Sequence, residues 1–304
     1  MKRFVLHITL FLPLALLFVV AMLWALGGTG WLRNVTYTLG HDDRLLTKVR
    51  EVSAHRGADV LFVGSSHAYR TFDPRIFAER GIEVVNLGSS NQTPLQSEVL
   101  LRQYLDSVQP RLVVIEVHPD IMAYDGVESA LYQLSAVPPS WHMVPMALRT
   151  HNLRVVCTMP YALLHNLVSD TADRFEESRE GYVPVGYVER PVEHYSPQPH
   201  EPKAICVQDC QRRALRRCTN YLQRRGVPFI MIEVPDTRAL MDSYTNLPRF
   251  QEDMSQYGPL YCSPLPVLDD SLHFYNEDHL NQCGVDLYCR MVRDRIIIPK
   301  LNSL

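Results

Sequence analysis

Runs of lysine and arginine of the kind that track a phosphate backbone are missing from this chain of 304 residues, whose formal net charge is -3 and whose pI is near 6.5. That balance removes the electrostatic case for nucleic acid as a partner. Close C-x-x-C pairs are missing as well. The seven cysteines are Cys157, Cys206, Cys210, Cys218, Cys262, Cys283 and Cys289. The nearest pair, Cys206-X3-Cys210, falls where a helix is expected, so these thiols predict no metal centre. Their odd number leaves at least one unpaired within a monomer, and spacing alone does not give a connectivity. His118, His142, His151 and His165 lack metal-ligand spacing such as His-Glu-x-x-His. No internal repeat is visible.

What is present begins at the amino terminus. Lys2 and Arg3 precede an uncharged run from Phe4 to Leu32, apolar from Phe4 to Leu26 apart from His7, Thr9 and Pro13. About 20 apolar residues span a bilayer. The apolar core of a cleaved signal peptide has roughly 7–15. Residues 1–32 therefore read as an uncleaved signal anchor, with Ala25 and Gly27 marking the alternative, a cleavage site. A buried core helix is disfavoured, because nothing amphipathic marks a packing face. Arg33, Arg44, Lys48 and Arg50 follow the run and weaken any charge count, but long domains translocate regardless. The expectation is a single-pass cell-membrane protein with residues 33–304 outside the cytoplasm. Residues 33–57 read as a polar juxtamembrane connection, helical around Arg44 to Ala54.

From residue 58 onward a rhythm of strand and helix begins, and an apolar share of 46% is enough for a real core. Val60–Val63, Glu83–Leu87, Arg111–Val117 and Phe229–Val234 read as strands. Pro74–Arg80, Gln96–Val108, Ala204–Arg225 and Leu280–Ile298 read as helices. Strands apolar on both faces that alternate with helices predict a parallel sheet covered on both sides, a three-layer α/β/α domain over 58–304. The rhythm breaks over about 125–203. Trp141 to Leu167 could be helical there, and Tyr182–Pro202 reads as irregular, so the stretch is taken as an insertion.

Two segments carry candidate chemistry. In the first, Val60–Val63 stops at Gly64-Ser65-Ser66-His67, which puts a hydroxyl at the carboxyl end of a buried strand, where open α/β sheets place ligand sites. In the second, near the other end, Asn276-Glu277-Asp278-His279-Leu280-Asn281 supplies a histidine among acids. Acyl transfer by a serine needs a base for its proton and donors for the oxyanion. Ser66 would attack, His279 would be the base, and a carboxylate would fix the imidazole tautomer. The turn Asn86-Leu-Gly-Ser-Ser-Asn-Gln-Thr-Pro94 follows the next strand, where Gly88 allows close approach and Ser89, Asn91 and Gln92 offer side-chain donors. Each piece alone reads equally as a plain turn; the conjunction singles them out. Arg70 could meet a substrate carboxylate or phosphate, but pairing with Asp73 is the expectation. Glu116 and Glu233 end strands and could support the site from behind.

These blocks resemble the SGNH (GDSL-type) hydrolase superfamily, and within it the membrane-anchored branch of cell-surface acyl-transfer proteins. Gly64-Ser65-Ser66 is similar to the first block, Asn86-Leu87-Gly88 to the second, and Asn276 through Gly284 to the last, over roughly residues 58–120 and 226–298. There are two departures. The third block's Gly-x-Asn-Asp has no counterpart after Ile115-Glu116-Val117-His118, so its oxyanion donor is absent or replaced by Asn91 or Gln92. Asn276 also stands where the family's usual aspartate would be, leaving Asp278, Asn276 or another acid such as Glu116 as partner of His279. The resemblance implies a flavodoxin-like fold and a serine esterase or O-acyltransferase. It would act without a cofactor on acyl esters, such as acetyl groups, of a cell-surface polysaccharide. Ser66, His279 and Asp278 would be catalytic, with Gly88, Asn91, Gln92 and the Ser66 N–H as oxyanion donors. A non-catalytic binding or assembly component retaining the fold is the alternative.

Overall fold

The computed structural model describes residues 2–191, 195–262 and 268–304. Its strands are Val60–Val63 (β1), Val84–Asn86 (β2), Leu112–Glu116 (β3), Tyr182–Val183 (β4), Tyr187–Val188 (β5), Phe229–Glu233 (β6) and Leu260–Cys262 (β7). Five of them form one sheet in the order β2-β1-β3-β6-β7, every neighbouring pair parallel. From β1 the chain steps outward to β2 and then returns to lay β3 on the other side. That reversal opens a crevice beyond the carboxyl ends of β1 and β3.

The apolar runs explain the layering. Successive side chains of a strand point to opposite faces. Leu61, Val63, Val113, Ile115 and Met231 enter one core with the helices Pro94–Val108 and Asp209–Arg225. Val60, Phe62, Leu112, Val114, Ile230 and Ile232 enter the other with Ile76, Phe77 and the helix Gln282–Val292. A sheet apolar on both faces needs helices on both, and the domain is α/β in three layers. Local signals set the helix ends. Thr93 and Gln96 form a capping box at the start of Pro94–Val108, and Gly226, at φ 65°, closes Asp209–Arg225.

Several elements differ from the sequence reading. Leu45, Leu46, Val49 and Val52, in the stretch expected as a connection, are buried in the first core. The helix expected from Ala204 begins at Asp209, so Cys206 is exposed ahead of it. Trp141–Leu167 is two helices, Met143–Arg149 and Leu153–Val168. The region expected to be irregular from Tyr182 holds the antiparallel hairpin β4–β5; its residues 192–194 lie outside the described residues. All seven cysteines are free thiols.

The first helix, Lys2–Leu26, has 25 residues. Its segment His7–Leu26, of mean hydropathy 2.5, is long and apolar enough to cross a membrane, and it lies outside the core. It meets the domain at Leu153–Val168. The Trp24 and His165 rings meet at a tilt of 38°, with centroids 5.9 Å apart. A side chain at Gly27 would come within 2.2 Å of the Tyr161 ring.

Candidate active site

At the end of β1 the chain turns through Gly64, at φ 153°, where a Cβ would lie 2.5 Å from the Glu116 side chain. Glycine alone allows that approach. Ser65 then caps the short helix Ser66–Thr71, its hydroxyl accepting from the His67 N–H at 3.2 Å. Ser66 is the first residue of this helix, so its N–H lies outside the helical ladder. Its Oγ is 2.7 Å from Nε2 of His279. The two meet across 213 positions of sequence.

The loop carrying His279 is folded tightly on itself. Phe274 and Leu280 form a bridge, and the Tyr275 N–H donates to the His279 carbonyl at 2.8 Å. This closure lets neighbouring side chains converge on one ring. His279 Nδ1 lies 2.7 Å from Asp278 Oδ1 and 3.1 Å from Asn276 Oδ1. The Asn276 oxygen also accepts the His279 backbone N–H at 2.8 Å, which makes Asn276 a brace of the loop. Burial would raise the Asp278 carboxyl, but the His279 bond and the imidazoles of His67 and His118 outweigh it and hold the group well below the usual carboxylate range. An ionised Asp278 keeps the proton on Nδ1 and leaves Nε2 free to take one from Ser66.

Glu116, the other acid considered for His279, is engaged elsewhere. Its Oε2 accepts the Ser65 N–H at 2.6 Å and the Ser65 hydroxyl at 2.8 Å. Burial pushes its carboxyl up. Behind His279 lies a polar layer that sequence reasoning missed. The His67 ring stacks on His279 at 4.8 Å and on His118 at 3.8 Å. His67 Nδ1 is 2.9 Å from Ser65 Oγ, and His118 Nε2 is 2.8 Å from Asp236 Oδ1. His67 Nε2 faces Asp236 and Asp278 at 3.8 Å each. Burial, with His118 and His279 beside it, pushes His67 well below its ordinary range and keeps it neutral. For His118 burial acts the same way, but the Asp236 carboxylate prevails and raises it to about 9. The available signals were positional: His67 follows the serines, His118 follows β3 and Asp236 follows β6.

Among the described residues, two groups, His67–Asp278–His279 and His67–His118–Asp236, bring possible ligand atoms within 4.8 Å of one another. In each, one imidazole nitrogen is already 2.7–2.8 Å from a carboxylate oxygen. Those are hydrogen-bond distances, whereas two ligands of one ion sit farther apart around it.

The second turn is held from an unexpected direction. Lys48 Nζ donates to the Gly88 carbonyl at 2.7 Å, and Asp43 accepts the Ser90 N–H at 2.6 Å. Both charged side chains are buried. The Gly88 N–H donates to Asn86 Oδ1 at 2.9 Å. Asn91, at φ 49°, donates its amide to Glu128 at 3.0 Å, and Gln92 donates to Ser97 Oγ at 2.9 Å. Of the donors expected at the oxyanion, Gly88, Asn91 and Gln92 are thus engaged within the protein, and Gln92 is buried. Asp73 is gripped by Arg75, whose Nε and Nη2 reach it at 3.0 and 2.6 Å, so the expected Arg70–Asp73 pair is not formed.

Among solved structures the chain is similar to a candidate acylhydrolase from Bacteroides fragilis, with 14% identity, a TM-score of 0.33, and coverage of 85% of this chain and 98% of that one. It is also similar to a GDSL-like lipase from Bacteroides thetaiotaomicron, with 13% identity, a TM-score of 0.30, and coverage of 86% and 99%. No protein-family model matches the chain, and no curated protein does. Likenesses this distant transfer no activity, and the chemistry of the site rests on its own geometry.

Proposed function

We propose that this chain is a serine-dependent esterase or O-acyltransferase of the SGNH (GDSL) type, with Ser66 as nucleophile, His279 as base and Asp278 as the acid of the triad. The observation that carries the reading is the relay from Ser66 Oγ to His279 Nε2 at 2.7 Å and from His279 Nδ1 to Asp278 at 2.7 Å. In the first half-reaction Oγ bonds to the acyl carbon and its proton passes to Nε2. The carbon–alkoxide bond then breaks, and the leaving oxygen takes that proton. In the second half, water or an acceptor hydroxyl gives its proton to Nε2, attacks the acyl-serine and releases Oγ, which is reprotonated. The Ser66 N–H, free at the helix start, would donate to the developing oxyanion. Gly88 joins it if its N–H leaves Asn86.

The apolar first helix supports a membrane-anchored placement with the domain outside the cytoplasm. The substrates proposed there are O-acyl esters, including acetyl, of a cell-surface glycan. A non-catalytic binding or assembly role is the second reading, favoured by the engagement of Gly88, Asn91 and Gln92 inside the protein.

One experiment separates the two readings. Full-length protein is treated with a fluorophosphonate and the labelled peptide is identified by mass spectrometry, alongside release of acetate from an aryl acetate. Label on Ser66, absent in Ser66→Ala and retained in Ser65→Ala, supports the enzyme. An unlabelled, folded protein without turnover supports the binding role.

A further inference from the structure

We propose that Arg70 and Ser90 form a subsite for an anionic group, a carboxylate or a phosphate, carried by the substrate beside its ester. This rests on the reading of Ser66 as nucleophile. Arg70 follows Ser66 by four residues within Ser66–Thr71, a spacing that puts two side chains on one helix face about one turn apart. It is half-buried. Its Nε donates to the Tyr69 hydroxyl at 3.2 Å, and that hydroxyl lies 3.3 Å from Ser90 Oγ in the second turn. The guanidinium is therefore tethered through its inner nitrogen, while its two terminal nitrogens keep their N–H groups. Among the described residues no carboxylate pairs with it, and the acid closest in sequence, Asp73, is held by Arg75.

The surroundings make this an unusual place for an uncompensated cation. Tyr69 is fully buried, with Lys48 Nζ 4.1 Å and Arg70 Cζ 5.3 Å from its ring centroid. Burial lowers Lys48 to about 7, against Asp43 and Glu177, which act as its counter-charges. Arg70 has a planar fork that matches an oxyanion and no partner for it. Arg70 and Ser90 both meet the Tyr69 hydroxyl, one from the helix after β1 and the other from the turn after β2.

The test uses full-length protein in a non-ionic detergent and three probes: O-acetylated glucuronate, O-acetylated glucose 6-phosphate and O-acetylated glucose. Acetate release gives kcat/KM for each, and calorimetry gives binding of glucuronate, glucose 6-phosphate and glucose themselves. At least one anionic probe should exceed its neutral counterpart by about tenfold or more. Which anion wins tells a sugar acid from a phosphorylated polymer. In Arg70→Gln that ratio should fall to near one, and Arg70→Lys should retain part of it. A ratio near one in the native protein, or one unchanged in Arg70→Gln, overturns the subsite. Selective anion binding lost in Arg70→Gln, without turnover of any ester, upholds the subsite while the enzymatic reading fails. Turnover without selectivity does the reverse.

Discussion

Ser65 and Ser66 are neighbours in the chain, yet their hydroxyls sit in opposite settings. Ser65 is fully buried, and its Oγ is occupied by Glu116, by His67 Nδ1 and by the His67 N–H. Ser66 is 9% exposed, and its Oγ is 2.7 Å from a single imidazole nitrogen. Both sets contain a serine, a histidine and an acid. In the inner set every lone pair and proton of the hydroxyl has a use, so nothing is left for a substrate. In the outer set the hydroxyl has one partner, the Nε2 lone pair of His279, and its own lone pairs have none. Residue type does not make a nucleophile; an unfinished hydrogen-bond shell open to the crevice does.

The largest expected contrast follows from this. Ser66→Ala should lower ester turnover by about 10⁵-fold or more with little change in melting temperature. Ser65→Ala should stay within about tenfold of native turnover while losing roughly 1–3 kcal/mol of stability, because His67 loses its hydroxyl partner in the interior and Glu116 keeps only the backbone N–H of residue 65. Steady-state kinetics and thermal melts of the two variants read this directly. Loss of turnover in Ser65→Ala with Ser66→Ala active would reverse the two roles.

A smaller effect separates the two groups on His279 Nδ1. Asp278→Asn should reduce kcat by about 10⁴-fold, as loss of the triad carboxylate does in serine proteases. Asn276→Ala loosens the loop without removing charge, and up to about 10²-fold is expected. Unchanged kcat in Asp278→Asn beside a large loss in Asn276→Ala would mean that Asn276, not Asp278, orients the base.

The smallest effect is on stability and belongs to the inner layer. His118 is raised from 6.5 to about 9, with burial opposing and Asp236 prevailing. A group whose folded value is raised contributes fully below its unfolded value, and the contribution is lost as pH rises through the folded one. Native protein should therefore exceed His118→Gln in stability by its full margin at about pH 6. The margin should shrink between about pH 6.5 and 9 and be small at about pH 10. Urea denaturation at several pH values measures it, and a margin independent of pH would show that the pair is not charged.

Much of this architecture is legible in the residues because its signals are local. The strands β1, β3 and β6 are uninterrupted apolar runs, and Gly64-Ser65-Ser66 and the His279 segment are short and distinctive. What escapes depends on partners far along the chain. β7 is a three-residue edge strand whose Tyr261 is partly exposed, so no run of apolar residues announces it. The β4–β5 hairpin docks on β2 through Gly186, where a Cβ would lie 2.0 Å from the Asn86 carbonyl oxygen. Asp278 is legible as the candidate acid, but its contact with His279 is not assured by sequence, because side chains of adjacent residues often diverge. The backbone closure from Phe274 to Leu280 turns it toward His279. No local pattern distinguishes Asp43 and Lys48 from solvated charges.

Those last two residues bear on how far the domain can be trimmed. A soluble fragment begun at residue 58 would leave behind both side chains that hold the Gly88–Ser90 backbone, together with Leu45, Leu46, Val49 and Val52 of the core. A fragment begun at residue 41 keeps them all. If the shorter piece is inert and the longer one active, the difference measures how strongly a stretch that reads as a tether governs the shape of a turn 40 residues further along the chain.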